Sequence, residues 1–273
     1  MRLALGSWPA TADGENEDFA AAGPGAAVLL DGAGVAGAPT GCVHGIAWFS
    51  STLGAILLRT ITSHPGWPLA DCLADAIAEV RSLHGDTCDL TYRASPTSTV
   101  VAVRARDGML EYLALGDSAV LLAQRNGDCA VVTDRRLDEA SKELRGPVDQ
   151  FPTGSPEHAA ALAQYREALT GLRNRSGGFW IAGPDPEAAR HAFTGSAPLA
   201  SLASVSLLSD GATRLVDRFA LASWAEVVAL LDSADPDELI RQVREAEAAD
   251  PEGRRWPRGK AQDDATALHW SFA

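Results

Sequence analysis

Two apolar runs in this chain each end in an aspartate followed by a glycine. Ala26-Ala27-Val28-Leu29-Leu30 leads into Asp31-Gly32-Ala33, and a run from Val205 leads through Leu207-Leu208-Ser209 into Asp210-Gly211. Each places a carboxylate at the end of a buried strand, where the backbone is rigid, and the glycine permits a sharp turn and close backbone approach to a ligand. Two more junctions repeat the theme: Leu115-Gly116-Asp117-Ser118, and Asp263-Asp264-Ala265-Thr266 ahead of Leu268-His269-Trp270. Carboxylates delivered by several rigid elements are the donor set of a hard divalent cation.

Bulk properties narrow the partners. Lys+Arg of 23 against Asp+Glu of 36 leaves a net charge of −13, which opposes a phosphate backbone or an anionic membrane, so neither nucleic acid nor membrane is expected. The hydrophobic content of 46% over 273 residues is ample for a sizeable core. The apolar part of Met1–Pro9 is too short for a signal peptide and no later run reaches spanning length, so a cytoplasmic protein is expected. The four cysteines, Cys42, Cys72, Cys88 and Cys129, have neither CxxC spacing nor histidines at zinc-ligand intervals, and read as reduced core residues. His44, His64 and His84 read as ordinary core or surface contacts.

The elements that must hold the acids follow from periodicity. Arg2–Trp8 reads as a first strand, Ala26–Leu30 as its partner, and the acidic stretch Asp13-Gly14-Glu15-Asn16-Glu17-Asp18 as the loop between them. A glycine- and alanine-rich turn, 34–39, leads to an apolar segment at Val43–Thr62 that becomes helical, and Leu69–Leu83 is an amphipathic helix with Leu73, Ile77 and Val80 on one face. Short β-rich runs at Thr99–Val103, Leu110–Leu115, Val120–Ala123 and Ala130–Thr133 predict a meander of hairpins. Residues 134–178 are polar, helical and proline-punctuated, as befits a flap. A strand at Phe179–Ala182, helices at Trp224–Leu231 and Asp237–Ala248, and a last strand complete the chain. Grouped strands and grouped helices predict a single α+β layered domain over 1–273 with the flap inserted at 134–178.

Taken in order, the acid motifs resemble those of the metal-dependent protein phosphatases of type 2C. Asn16-Glu17-Asp18, Asp31-Gly32, Thr97-Ser98-Thr99, Gly116-Asp117-Ser118, Ser209-Asp210-Gly211 and Asp263-Asp264-Ala265-Thr266 match that family's motifs in sequence over nearly the whole chain. The resemblance implies a four-layer αββα sandwich, two antiparallel sheets flanked by helices, with two Mn²⁺ or Mg²⁺ ions and a third, weaker one at one end. It implies that Asp31 bridges the metals and Gly32 offers its carbonyl. On the same resemblance Asp210 and Asp263 would complete one ion, Glu17 would serve the other with Asp18 acting directly or through bound water, and Asp117 with Asp210 would hold the third. Asp31 and Asp210 would then be catalytic through a metal-bound water attacking a phosphoserine or phosphothreonine of a phosphoprotein substrate.

The departures are as specific as the matches. The family's phosphate-gripping arginine is absent before Asn16, where Asp13-Gly14-Glu15 stand; Ala33, Val35-Ala36 and Ala119 replace histidine, glycine-histidine and arginine. Weak phosphate affinity is therefore expected, and a catalytically weak or inactive pseudophosphatase serving as a partner-binding module is the alternative. Other hydrolase classes fit worse. The residues two before the aspartates are Leu29 and Leu208, not the aspartate an aspartyl nucleophile needs, and no Gly-x-Ser-x-Gly elbow occurs.

Overall fold

The computed structural model describes residues 2–34, 40–84 and 87–272. Among these, ten strands build two antiparallel five-stranded sheets. One contains β2 (Phe19–Gly23), β3 (Ala26–Ala33), β4 (Thr97–Arg106), β5 (Met109–Leu115) and β8 (Phe193–Pro198), in that order. The other runs β1 (Arg2–Trp8), β10 (Ala265–Ser271), β9 (Leu202–Leu208), β6 (Ala119–Gln124) and β7 (Cys129–Val132). Helices α1 (Ile46–Ser63) and α2 (Leu69–His84) cover the first sheet; α6 (Asp210–Asp217), α7 (Trp224–Ser233) and α8 (Pro236–Ala249) cover the second.

Burial explains the layering. Along β3 and β4 alternate side chains point to opposite faces: Val28, Leu30, Val100 and Ala102 pack under α1 and α2, while Ala27, Leu29, Val101 and Val103 meet Val205, Leu207 and Leu268 of the opposing sheet. Strands covered on both faces carry no polar alternation, and this is why these segments read as unbroken apolar runs. Each fully buried leucine contributes roughly 1.5–3 kcal/mol relative to an exposed one. Leu239, Ile240 and Val243 do the same work for α8 against β10.

The four-layer α+β sandwich expected from the sequence is the architecture found, but four local expectations are corrected. The first strand pairs with β10, not with Ala26–Leu30, whose partner on that side is β2; the acidic loop therefore crosses from one sheet to the other. The hairpin series breaks at the same kind of crossing, since β5 pairs with β4 and β8 while β6 pairs with β7 and β9. Phe179–Ala182 forms only isolated bridges, Ser98 with Ala182 and Arg173 with Phe179. Asp31-Gly32 makes no turn either, because both residues lie within β3, opposite Thr99 and Ser98. The turn at 34–39 lies largely outside the described residues, as do Val35 and Ala36.

Residues 134–178 hold α3 (Arg136–Ser141), α4 (Gly146–Asp149) and α5 (Pro156–Leu172). They are fastened to the loop before β10: Thr153 donates its N–H to the Glu252 carbonyl at 2.7 Å and its hydroxyl to the Arg258 carbonyl at 3.0 Å, and His158 Nε2 lies 3.1 Å from that same carbonyl. Among the described residues no helix is long and apolar enough to cross a membrane.

Candidate active site

The acids collect at one end of the two sheets, and each is placed by a different device. Glu17 and Asp18 lie just before β2, where the Glu17 backbone is pinned from three sides. Its N–H donates to Asp264 at 2.8 Å, and its carbonyl accepts from Gly32 N–H at 3.1 Å and from the Ser50 hydroxyl at 2.5 Å. Gly32 is needed for that approach, since a Cβ there would stand 2.6 Å from both the Glu17 carbonyl and Ile46. Asp31 is aligned by the ladder to β4, with Ser98 donating to its carbonyl at 2.9 Å.

Asp117 sits where the chain leaves one sheet for the other. Gly116 turns the corner at φ 85°, a left-handed conformation open mainly to glycine, with the Thr99 side chain filling the space a Cβ would need. Asp210 opens α6, at the end of a helix where the backbone dipole favours negative charge. Gly211 packs so tightly on the chain before β10 that a Cβ would overlap the Asp264 carbonyl oxygen. Gly211→Ala is accordingly expected to lower the melting temperature by about 5 °C, a cost of ~1–3 kcal/mol in a domain of this size, read by thermal denaturation. An unshifted transition would mean that α6 and β10 are not locked together there.

Asp263 and Asp264 take separate roles. Both Asp264 oxygens are used on backbone, accepting from Ala10 N–H at 2.7 Å and from Glu17 N–H, so this residue stitches the first acidic loop to β10. Asp263 faces the other acids and accepts from Arg214 at 2.8 Å and from Lys260 at 2.6 Å. Sequence reasoning did not identify these two cations. The helical spacing from Asp210 to Arg214 and the three-residue step from Lys260 to Asp263 were the available signals. Arg214 is committed, since it also donates to buried Glu247 at 2.7 Å. Lys260 keeps an exposed flank; burial of its other side works against the charge, but Asp263, Asp210 and Asp31 together outweigh it and push the pKa above the ordinary lysine range.

The electrostatics are those of crowded carboxylates. Burial, then the charges of Asp18, Asp210, Asp263 and Asp117, hold the Asp31 pKa well above the usual range. Asp18 is pushed up to about 7 and Asp117 to about 8, in both cases chiefly by burial and next by neighbouring acids, Asp210 among them. Burial and Asp263 raise Asp210, while Arg214 and Lys260 moderate it. Glu17 lies at the rim, raised by burial and eased by Lys260. Both Asp18 oxygens are buried with no hydrogen-bond partner; Ser209 and Thr266 lie near enough to temper its pKa without bonding geometry.

This arrangement tests the fit of a metal. Five aspartates, Asp18, Asp31, Asp117, Asp210 and Asp263, converge on two cations, of which Arg214 is shared with Glu247. The remaining negative charge and the orphaned Asp18 carboxylate suit a divalent cation with oxygen ligands, and Asp31, Asp117, Asp210 and Asp263 keep partly open faces toward solvent.

The sequence profile of the family described as Protein phosphatase 2C matches residues 15–245. Solved structures share the fold at low identity. PppA, described as a key regulatory component of T6SS in Pseudomonas aeruginosa, is 21% identical with a TM-score of 0.59, over 99% of this chain and 97% of that one. The PPM Ser-Thr phosphatase MsPP from Mycobacterium smegmatis, in complex with cacodylate, is 18% identical with a TM-score of 0.58, over 100% and 99%. The catalytic domain of the serine threonine protein phosphatase PstP, in complex with two manganese ions, is 16% identical with a TM-score of 0.53, over 99% and 97%. No curated protein matches the chain in sequence.

Proposed function

Since this chain belongs to the protein phosphatase 2C family, we propose that it is a metal-dependent phosphatase of phosphoserine and phosphothreonine in cytoplasmic phosphoproteins. The observation that carries the reading is the convergence of five buried or half-buried aspartates with too few cations to balance them. Asp31, Asp210 and Asp263 would hold one Mn²⁺ or Mg²⁺, Asp31 with the Gly32 carbonyl and Asp18 the second, and Asp117 with Asp210 a weaker third; Glu17 stands at the rim. Bound there, the ions supply charge neutralisation for the phosphoryl oxygens and an acidified water for attack at neutral pH. Arg214 and Glu247 keep Asp263 oriented, while Asp264 fixes the backbone on which Glu17 and Asp18 sit.

Lys260 takes over the binding task that the missing arginine leaves open. Its side chain is half-exposed while its ammonium group bonds Asp263, which leaves it the more accessible of the two cations beside the acids for an entering phosphate dianion. The flap 134–178 belongs to the same entrance, because Thr153 and His158 grip Arg258, two residues before Lys260, and Asp138 of α3 lies close enough to raise the Asp117 pKa.

The Lys260 contact with Asp263 also favours the second reading, in which the ammonium stands in for a metal and the chain is a non-hydrolysing binding module. Lys260→Met separates the two. The phosphatase reading expects a Michaelis constant for a phosphopeptide raised about tenfold, with manganese binding no weaker, as the loss of a charge-assisted contact worth ~1.5–3 kcal/mol implies. An unmodified protein that neither binds manganese nor releases phosphate, paired with a variant that gains metal binding, would establish the module instead.

A further inference from the structure

We infer that the chain carries a second metal centre, a structural tetrahedral zinc site formed by Cys42, His44, His84 and Cys88, remote in chemistry from the acid cluster and independent of the phosphatase reading. These residues offer ligand atoms that all lie within 4.8 Å of one another, and among the described residues they are the one such group of three or more. The sequence reads the cysteines as reduced core residues and the histidines as ordinary core or surface contacts, and does not show that the four stand together. The reason is that Cys42-x-His44 and His84-x-x-x-Cys88 are half-sites that only the pairing of α1 with α2 brings together.

Four of the six separations match those of a tetrahedron, and the other two lie within 4.8 Å. With zinc–sulfur distances of ~2.3 Å and zinc–nitrogen of ~2.0–2.1 Å, neighbouring ligand atoms stand about 3.4–3.8 Å apart. Cys42 Sγ lies 3.6 Å from Cys88 Sγ, 3.7 Å from His44 Nδ1 and 3.9 Å from His84 Nδ1, and Cys88 Sγ lies 3.4 Å from His44 Nδ1. Two thiolates and two imidazoles in this shape select zinc over the hard ions suited to the aspartates.

The surroundings already hold the ligands in place. His44 stacks on Trp48 with centroids 4.1 Å apart, and the His84 ring is wedged edge-on among Trp48, His44 and Phe49. The backbone N–H groups of Val43 and His44 donate to Cys88 and Cys42 sulfur at 3.4 Å, the partners a thiolate takes. Binding would release one proton from each thiol, leaving a neutral complex of Zn²⁺, two thiolates and two neutral imidazoles. All four positions are then protein ligands, so the site is closed and structural rather than catalytic. It would clamp the entry of α1 to the exit of α2, and α1 supplies Ser50 and Ile46 to the Glu17–Gly32 contact.

Cobalt(II) titration of the full-length reduced protein tests this, because sulfur-to-cobalt charge-transfer bands arise only from thiolate ligation and the aspartates cannot produce them. One equivalent is expected to develop those bands with the d–d intensity of a tetrahedral ion, and one equivalent of zinc to displace it. Asp210→Asn should leave the bands unchanged. His44→Ala should weaken cobalt binding by about 100-fold or more, and Cys88→Ser should remove the two-thiolate spectrum. Absence of charge transfer in the unmodified reduced protein overturns the proposal, as does a Cys42–Cys88 disulfide that forms without metal and persists in protein containing no zinc. The unmodified chain alone decides the matter if a variant fails to fold.

Discussion

Asp210→Asn is expected to lower manganese-dependent phosphate release from a phosphopeptide by at least ~10³-fold, the scale on which removing a charge that organises a transition-state electrostatic site acts. The charge of Asp210 bears on Asp18, Asp31 and Asp117, and its position at the start of α6 fixes where it points. An amide keeps the shape and loses the charge that would balance a divalent ion. Metal-free protein should respond in the opposite sense. Removing one of several mutually repelling, buried carboxylates relieves repulsion, so the variant without metal is expected to melt a few degrees higher than the unmodified chain and to gain nothing from added manganese. Full activity in the variant, or a melting temperature still raised by manganese, would remove Asp210 from the metal site.

Stability without metal is expected to fall as pH rises. Unfolded aspartates ionise near ~3.9, whereas in the folded protein Asp18 titrates at about 7 and Asp117 at about 8, with Asp31 and Asp210 also raised. Between these limits the folded state holds protons that the unfolded chain has released, so the stabilisation present below pH ~4 is lost as pH climbs through 7 and 8. A decline of about 10 °C in melting temperature from pH 5 to pH 8 is the expected scale. Manganese competes with those same protons, so its stabilising effect should grow over the same interval. A flat profile in chelator would mean that Lys260 and Arg214 already neutralise the acids.

The sequence made the acids legible because they stand at the ends of long apolar runs, and runs buried on both faces leave an unambiguous mark. What it concealed were relations between distant parts. Phe19–Gly23 is alanine-rich and Phe193–Pro198 is largely exposed, so neither β2 nor β8 carried a strand signal, and without β2 the partner of Ala26–Leu30 was misassigned. Gly116 read as a hairpin turn because a glycine corner looks the same whether the chain folds back or crosses to another sheet. Lys260 sits in a polar loop with no periodicity, and its meaning comes only from Asp263 and the acids beyond it. The Cys–His group was hidden for the same reason, by the length of chain that α1 and α2 occupy between its halves.

The pairing of β1 with β10 has a consequence for the order in which the molecule is made. Among the described residues β1 lies at the edge of its sheet with β10 as its one neighbour, and the Asp264 bonds to Ala10 and Glu17 close loops of 254 and 247 positions. Contacts of such separation form late, since the entropy of closing the loop must be met before they contribute. On the ribosome, β2–β5 with α1 and α2 can pack as soon as β5 emerges, whereas β1 waits until β10 has been synthesised. Asp18 and Asp263 meet only once β10 is in place, so a nascent chain can carry a folded first sheet before its acid cluster is assembled.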